Sequence, residues 1–562
     1  MKQYLKYLYT GPYSLSVMGM FALAIMLRII LISHSWPVLD SDEGTMGIMA
    51  LHVAYRGATP VFFYGQNYMG SLEAYVVAPM FYLFGPSTFA LHFGLLFIYA
   101  FSLAILYLLT SALYTKRLAL FTLGLLAFGS SEMFARQLTA TGGYPESFLF
   151  APLLLLSALR LAASAQETPL TGKRRWRVLA YTGWIALAGL AAWSDPLMAP
   201  LILVAGWLLV RFCYRELPWR PIALFVLACA VIVIITYVAY NRYPLDQSIT
   251  ATLRFIFRIQ GNSFTIPPLG ARIAGTLFIA LPRATGWNVP CYISNDGGPS
   301  LLPPHPLPTN CIAVGGIWGA GFLLLLATSA ILTFTTYRAL KRAARTQPWT
   351  FEQRQEAIRH FARLMLITGA MLTILLYVNS SAPALDPWIS TRYLVSLPVA
   401  LPAILWPLWR TGQSMSRSLL AKCVRALSSG LLLVIALTFV LGWVQTLNLI
   451  PDAQQKQQQD TALISSLLKI GAVHIFTDYW TCDRIAFESA ERIICSVVDE
   501  QLQPGLNRSP FYAPVVAADP RAAWVFPLNS PQAKTFSQKA PDTLSSYRLL
   551  LLNGYAIYLP RT

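Results

Sequence analysis

The sequence predicts an α-helical protein that crosses a membrane many times and ends in a small α/β domain. Three observations predict it. The chain of 562 residues is 56% hydrophobic and only 12% charged, and its mean hydropathy is +0.53; a soluble protein of this composition would aggregate. Apolar runs recur at about 20 residues, the length a helix needs to cross a bilayer core. After Pro451 the long runs stop, and short apolar stretches alternate with polar ones.

The runs must be helices, because lipid offers backbone N–H and C=O groups no partner. A transmembrane barrel would show alternating strands of about ten residues, which are absent from the pattern. The formal net charge of +18 fits topology better than nucleic acid. Lys and Arg collect on the cytoplasmic side of membrane proteins, and no stretch interleaves basic and aromatic residues as a nucleic-acid binder would. The basic clusters are Lys2 and Lys6, Lys116 and Arg117, Lys173 to Arg177, Arg211 to Arg220, Arg338 to Arg363, and Arg410 to Arg425. Placing them all inside requires an even number of crossings between consecutive clusters.

About 11 spans satisfy this: 14–33, 88–113, 118–135, 147–163, 178–194, 196–211, 222–240, 313–335, 364–380, 394–409 and 426–448. The first lacks a small-residue cleavage site and reads as an uncleaved signal-anchor. The N-terminus then lies inside, and the tail outside, at the cell or inner membrane. Residues 1–450 form the membrane domain and 451–562 a soluble external domain. Parity makes 34–87 one external loop. Its apolar Ala74–Phe84 is too short to cross and should lie at the interface, as should the helix ending at His52 to Arg56. A second long external loop covers 241–311.

In the tail, DAQQKQQQD reads as a linker, ALISSLLKIG as a helix, and AVHIFTD and RIICSVVD as strands with a helix near Arg484–Glu491 between them. VVAADP, AAWVFPL and YAIYLP are further strand candidates. No G-x-G-x-x-G or P-loop occurs there. Of seven cysteines, Cys213, Cys229 and Cys423 sit in or beside apolar runs. Cys291 with Cys311, and Cys482 with Cys495, are candidate disulfides if their segments face an oxidising compartment.

Three carboxylates, Asp40, Asp42 and Glu43, follow the first span directly. Charge near a bilayer has a cost unless it is solvated or used. A helix cap accounts for part of this, since Asp42-Glu43 before TMGIMALHVA is a good helix start. Most other carboxylates of the membrane part also fall outside, which an external polar site explains.

The D-E pair after span 1, the Gly and apolar helix, the glycine turn, the YG segment and the interfacial helix ending in F-G resemble the C-type glycosyltransferase (GT-C) fold. The pattern is that of the protein O-mannosyltransferases and lipid A aminoarabinose transferases, and it covers roughly residues 10–410. The resemblance implies transfer of a sugar from a polyprenyl-phosphate donor to a protein, lipid or glycan acceptor. It implies that Asp42 is the catalytic base and Glu43 its partner. Asp40 and Glu146, in TATGGYPES, would support acceptor or metal contacts; the family often has Asp near the latter place. Arg392 and Tyr393, in STRYLVSLP, would meet the lipid phosphate, with Arg283 and Arg136 as weaker candidates. Tyr64, Gln66, Asn67 and Tyr68 carry the stacking and amide groups common in sugar pockets, and Asp195 in WSDP either shapes a turn or touches substrate. Glu146 and Arg392 should face Asp42 across one pocket. No cofactor is required, although carboxylates could hold a divalent cation; the six His are scattered, with no H-E-x-x-H.

Rival readings are a lipid-linked-sugar transporter or flippase, which should show inverted repeats and buried mid-membrane charge, a polysaccharide polymerase or ligase, and a non-catalytic scaffold.

Overall fold

The computed structural model describes residues 14–66, 68–165, 174–214, 216, 267–288, 309–344, 349–413, 418–538 and 545–561. It divides into two compact units. The first comprises Met1–Leu27, Ile98–Arg136 and Glu146–Thr446; the second comprises Arg28–Phe97, Gln137–Pro145 and Leu447–Thr562. The second unit therefore joins the first loop to the tail, two segments far apart in sequence.

The protein is a polytopic helical membrane protein. Among the described residues eight helices are long and apolar enough to cross a bilayer, and a ninth span is available if the bent pair Lys116–Ala127 and Ser131–Leu138 counts as one. These nine match nine of the expected spans. The stretch 178–194 is helical within Arg174–Ser194, but Tyr181, Thr182, Gly183 and Trp184 leave it less apolar than the rest. The span expected at 222–240 lies outside the described residues. So does most of the second long loop; its described part, expected as loop, is helical at Leu269–Gly275 and Leu281–Ala284, because that stretch is mostly apolar.

Close approach in the first unit depends on missing side chains. Gly315 and Gly319 are four residues apart, hence on one helix face. A Cβ on either would come within 2.0 and 2.2 Å of the Phe278 and Leu277 carbonyl oxygens. Small residues at this spacing let membrane helices pack backbone to backbone.

In the second unit, helix α1 (Ser41–Arg56) starts at Asp40, whose carboxylate accepts from the Glu43 N–H at 2.8 Å. The cap is thus Asp40, not the Asp42 the sequence offered: with Asp40 outside the helix its oxygen reaches the third N–H. Gly57, at φ 64°, closes the helix, a conformation that suits glycine. Helix α2 (Leu72–Phe84) is the short apolar helix expected at Ala74–Phe84.

The tail opens with helix α3 (Ile450–Lys469), which absorbs the expected linker DAQQKQQQD. Pro451 sits in its first turn, where its missing N–H costs nothing, and Gln, Lys and Ala tolerate the helix well. Then come strand β1 (His474–Thr477), helix α4 (Tyr479–Glu488), strand β2 (Ile494–Val497), helix α5 (Tyr512–Ala518), strand β3 (Ala523–Pro527), helix α6 (Pro531–Ser537) and strands β4 (Tyr547–Leu552) and β5 (Tyr555–Pro560). The strand expected at VVAADP is helix α5. Its burial is one-sided, with Tyr512 and Val516 inside, a four-residue spacing that suits a helix. The sheet order is β2-β1-β3-β5-β4; β1 runs parallel to both neighbours and β5 antiparallel to β3 and β4. Its core stacks Phe476 on Trp524 and packs Phe536 at a tilt against Tyr558, with ring centroids 4.5 and 4.1 Å apart. Cys482 and Cys495 form a disulfide with Cα atoms 5.5 Å apart. Cys229, Cys291 and the Cys311 side chain lie outside the described residues; Cys213 and Cys423 are free thiols.

Candidate functional site

The second unit places α4 directly on α1. Gly44 and Gly47 make room for it. A Cβ at Gly44 would lie 2.5 Å from the Asp483 carbonyl, and one at Gly47 would lie 2.5 Å from the Phe487 ring. Thr45 Oγ1 then donates to Asp483 at 2.7 Å, and the Asp483 N–H donates to Ser41 Oγ at 3.3 Å. Burial pushes the Asp483 carboxyl up to about 6.

This packing gives the three clustered acids three different surroundings. Asp40 is spent on the cap. Glu43 is wholly buried; its Oε1 accepts from the Ala140 N–H at 2.8 Å and lies 3.0 Å from His92 Nε2. It therefore ties α1 to the segment Gln137–Pro145 and to the helix bearing His92. Asp42, one position earlier, turns the other way. Its Oδ1 accepts from the Tyr479 hydroxyl and from Arg508 Nη2, the latter at 3.1 Å. Its Oδ2 has no hydrogen-bond partner among the described residues, and the side chain is 14% exposed.

Arg508 is itself caged. Its Nε donates to the Tyr479 oxygen at 2.8 Å. With the Gln66 amide turned so that its oxygen faces the guanidinium, that oxygen accepts from both terminal nitrogens at 2.7 and 2.8 Å. Phe63 lies under the guanidinium, with its ring centroid 5.4 Å away. Burial opposes the charge of Arg508, but the Asp42 carboxylate and the Tyr479 oxygen outweigh it and hold its pKa above the ordinary value. Burial also pushes the Tyr479 phenol well up, so it remains a donor at neutral pH.

A second link flanks the first. His52 Nδ1 lies 3.0 Å from the Tyr64 hydroxyl, and His52 Nε2 lies 2.9 Å from Glu491 Oε1. Arg56 and Tyr512 donate to the same carboxylate. Burial works against the charge of Glu491, but the hydrogen bonds from His52 and Tyr512 prevail and hold it below the usual carboxylate range.

Of the residues singled out in the sequence, Asp40, Asp42, Glu43, Tyr64 and Gln66 thus share one unit. Asn67 lies outside the described residues. Glu146, Arg392, Tyr393 and Asp195 belong to the other unit. There Glu146 is wholly buried, the Arg392 guanidinium lies 5.5 Å from the Tyr393 ring centroid, and Asp195 accepts from the Leu197 N–H and from Ser147, which is the turn-shaping role. Arg136 and Arg283, the weaker phosphate candidates, both bind Glu132, at 2.7 and 2.8 Å.

Arg508 and Tyr479 escaped sequence reasoning. They lie more than 430 residues from Asp42, and no local pattern links them to it. The groups beside Asp42 Oδ1 are a guanidinium and a phenol, both donors, so this arrangement does not fit a divalent cation at that oxygen. Among the described residues one cluster brings three potential metal ligands together, Cys482, Asp483 and Cys495, but its two sulfurs are bonded to each other.

No protein-family model matches the sequence, and no curated protein matches it. The solved structures do. ArnT from Cupriavidus metallidurans in the apo state aligns over 98% of both chains with a TM-score of 0.55 at 14% identity. The same protein bound to undecaprenyl phosphate aligns over 98% of both chains with a TM-score of 0.51 at 14% identity. At this identity the likeness is one of fold, and it extends the length of the chain. The fold is the GT-C-like one that the resemblance implied.

Proposed function

We propose that this protein is a membrane glycosyltransferase that moves a sugar from a polyprenyl-phosphate donor to a hydroxyl or amine acceptor, with Asp42 as the general base. The observation that carries the reading is the asymmetry of the Asp42 carboxylate. Oδ1 is fixed by Arg508 and Tyr479, while Oδ2 on the same group has no hydrogen-bond partner among the described residues. A base needs this arrangement, with one oxygen anchored for orientation and the other open to a proton. Undecaprenyl phosphate bound to the structural neighbour ArnT supports a polyprenyl-phosphate donor.

In the reaction, the acceptor's oxygen or nitrogen bonds to the anomeric carbon as its proton passes to Asp42 Oδ2. The bond from that carbon to the donor's phosphate oxygen breaks on the opposite face. Its electron pair leaves with the polyprenyl phosphate, and the configuration inverts. The leaving phosphate already carries charge, so no general acid is required; cationic side chains suffice to stabilise it. We assign that role to Arg392, with Tyr393 beside it, and acceptor contacts to Glu146, Tyr64 and Gln66. Arg508 is a positioning residue for Asp42, and Glu43 a structural partner of the turn that carries it. The N-terminus is cytoplasmic, and the first loop and tail face the outside.

The test uses membranes containing the full-length protein and a panel of radiolabelled polyprenyl-phosphate sugars. The expected outcome is transfer of label by the wild type and its loss in Asp42→Asn at equal protein level. Undiminished transfer by Asp42→Asn would remove the assignment.

A further inference from the structure

A separate feature of the first unit takes no part in that chemistry. A cavity of about 300 Å³ opens between the helices Thr309–Ala343, Phe351–Asn379 and Leu401–Gly412. Arg359, Arg363 and Arg410 line it, together with His360, Thr333 and Trp406. Among the described residues the one carboxylate on its wall is Glu356, whose Oε1 lies 3.8 Å from His360 Nε2. Three guanidiniums against one carboxylate leave a surplus of positive charge.

The three cations are not equivalent. Arg363 is built in: its Nε donates to the Leu113 carbonyl at 2.6 Å, and its guanidinium lies 4.5 and 5.2 Å from the Tyr114 and Trp406 ring centroids. Arg359 and Arg410 have no carboxylate partner among the described residues. Two buried polar atoms on the wall also lack partners. Thr333 Oγ1, in a residue 2% exposed, and His360 Nδ1, in a residue 9% exposed, make no hydrogen bond among the described residues. Orphaned buried polar atoms are costly, and a ligand's acceptors and donors would remove that cost.

We propose that this cavity binds the phosphate of an anionic phospholipid headgroup. The forked guanidiniums of Arg359 and Arg410 match phosphate oxygens in geometry and charge. Thr333 Oγ1 supplies a neutral donor, and His360 Nδ1 meets a headgroup hydroxyl or the phosphate according to its tautomer. A lipid is favoured over free phosphate by position. The cavity lies near helix ends marked by Arg338, Lys341, Arg342 and Arg410, where headgroups sit. Trp406 and Leu332 give one side of it an apolar wall for the glycerol and upper chain. Basic pockets between membrane helices bind such headgroups elsewhere.

The test is native mass spectrometry of the full-length protein released from mixed phosphatidylglycerol and phosphatidylcholine bilayers. Wild type is expected to retain phosphatidylglycerol preferentially. Arg359→Gln/Arg410→Gln should lower that retention by about tenfold or more, and Glu356→Gln, which removes the single carboxylate, should raise it. Equal retention of the two lipids, or undiminished retention in the double variant, overturns the proposal. Displacement of phosphatidylglycerol by millimolar inorganic phosphate overturns the lipid assignment in favour of a free-phosphate site. If the double variant does not fold, Glu356→Gln decides alone: no gain in retention overturns the proposal.

Discussion

The acidic turn Asp40–Glu43 and the basic cavity around Arg359 and Arg410 are both clusters of like charge, yet they are resolved in opposite ways. In the turn, each carboxylate points to its own partners: a backbone N–H for Asp40, His92 and the Ala140 N–H for Glu43, Arg508 and Tyr479 for Asp42. Among the described residues Glu43 Oε2 and Asp42 Oδ2 have no hydrogen-bond partner, and of these two acids only Asp42 is partly exposed, so Asp42 Oδ2 is the oxygen a substrate can reach. In the cavity, two cations and two buried polar atoms are left over. A cluster whose charges are consumed is architecture, and what it leaves unpaired marks the place for chemistry. A cluster whose charges are not consumed marks a place for a ligand.

Substitutions that separate these roles test the comparison. The largest effect belongs to Asp42→Asn: sugar transfer should fall by about 10²–10⁴-fold per folded molecule, the usual worth of a positioned base, while the loss of the Arg508 carboxylate partner lowers the thermal unfolding midpoint as well. One residue on, Glu43→Ala should act on stability alone. Leaving buried His92 and the Ala140 N–H without their acceptor should cost about 1–3 kcal/mol of stability, seen in denaturant unfolding of the detergent-solubilised protein; a Glu43→Ala variant that kept its stability and lost transfer would end the distinction.

Asp483 sharpens the point, because it is a buried acid with no ion-pair partner among the described residues. With its carboxyl raised from 3.8 to about 6, its protonated form contributes stability that is fully present below about pH 4 and lost as pH rises through about 6. Asp483→Asn should flatten that stretch of the stability-versus-pH curve by about 2–3 kcal/mol. Gly47→Ala should cost about 1–3 kcal/mol through forced repacking, read as a lower unfolding midpoint. The smallest effect is expected in the cavity. Arg359→Gln should change stability by no more than about 0.5 kcal/mol, since no partner is lost; a large loss would show that its charge is already consumed.

Much of the fold could be read from the sequence because its signals are local. Span length, the short Ala74–Phe84 helix and strands β1, β2, β3 and β5 all follow from hydrophobic runs and their period. The misses are also physical. DAQQKQQQD is polar, but polar residues of high helix propensity extend a helix that a neighbour stabilises. Strand β4 was not foreseen, although Asn553-Gly554, both at positive φ, is a strong hairpin signal. The candidate site was half legible. Asp42 stood out because acids beside a span need a reason, while Arg508 and Tyr479 look like ordinary residues of a soluble domain until folding brings them to it. Spacing along the chain does not reveal which way the carboxylates of Asp40, Asp42 and Glu43 turn, so it cannot separate their surroundings.

The glycine face of α1 has a consequence for biosynthesis. Gly44 and Gly47 are shaped for a helix that begins at Tyr479, and the Asp42–Tyr479 contact spans 437 residues. At about 5–20 residues per second, the ribosome needs roughly 20–90 s to make what lies between. For that interval the nascent first loop waits with its groove empty, and the carboxylate at its head is assembled only when the last part of the chain emerges.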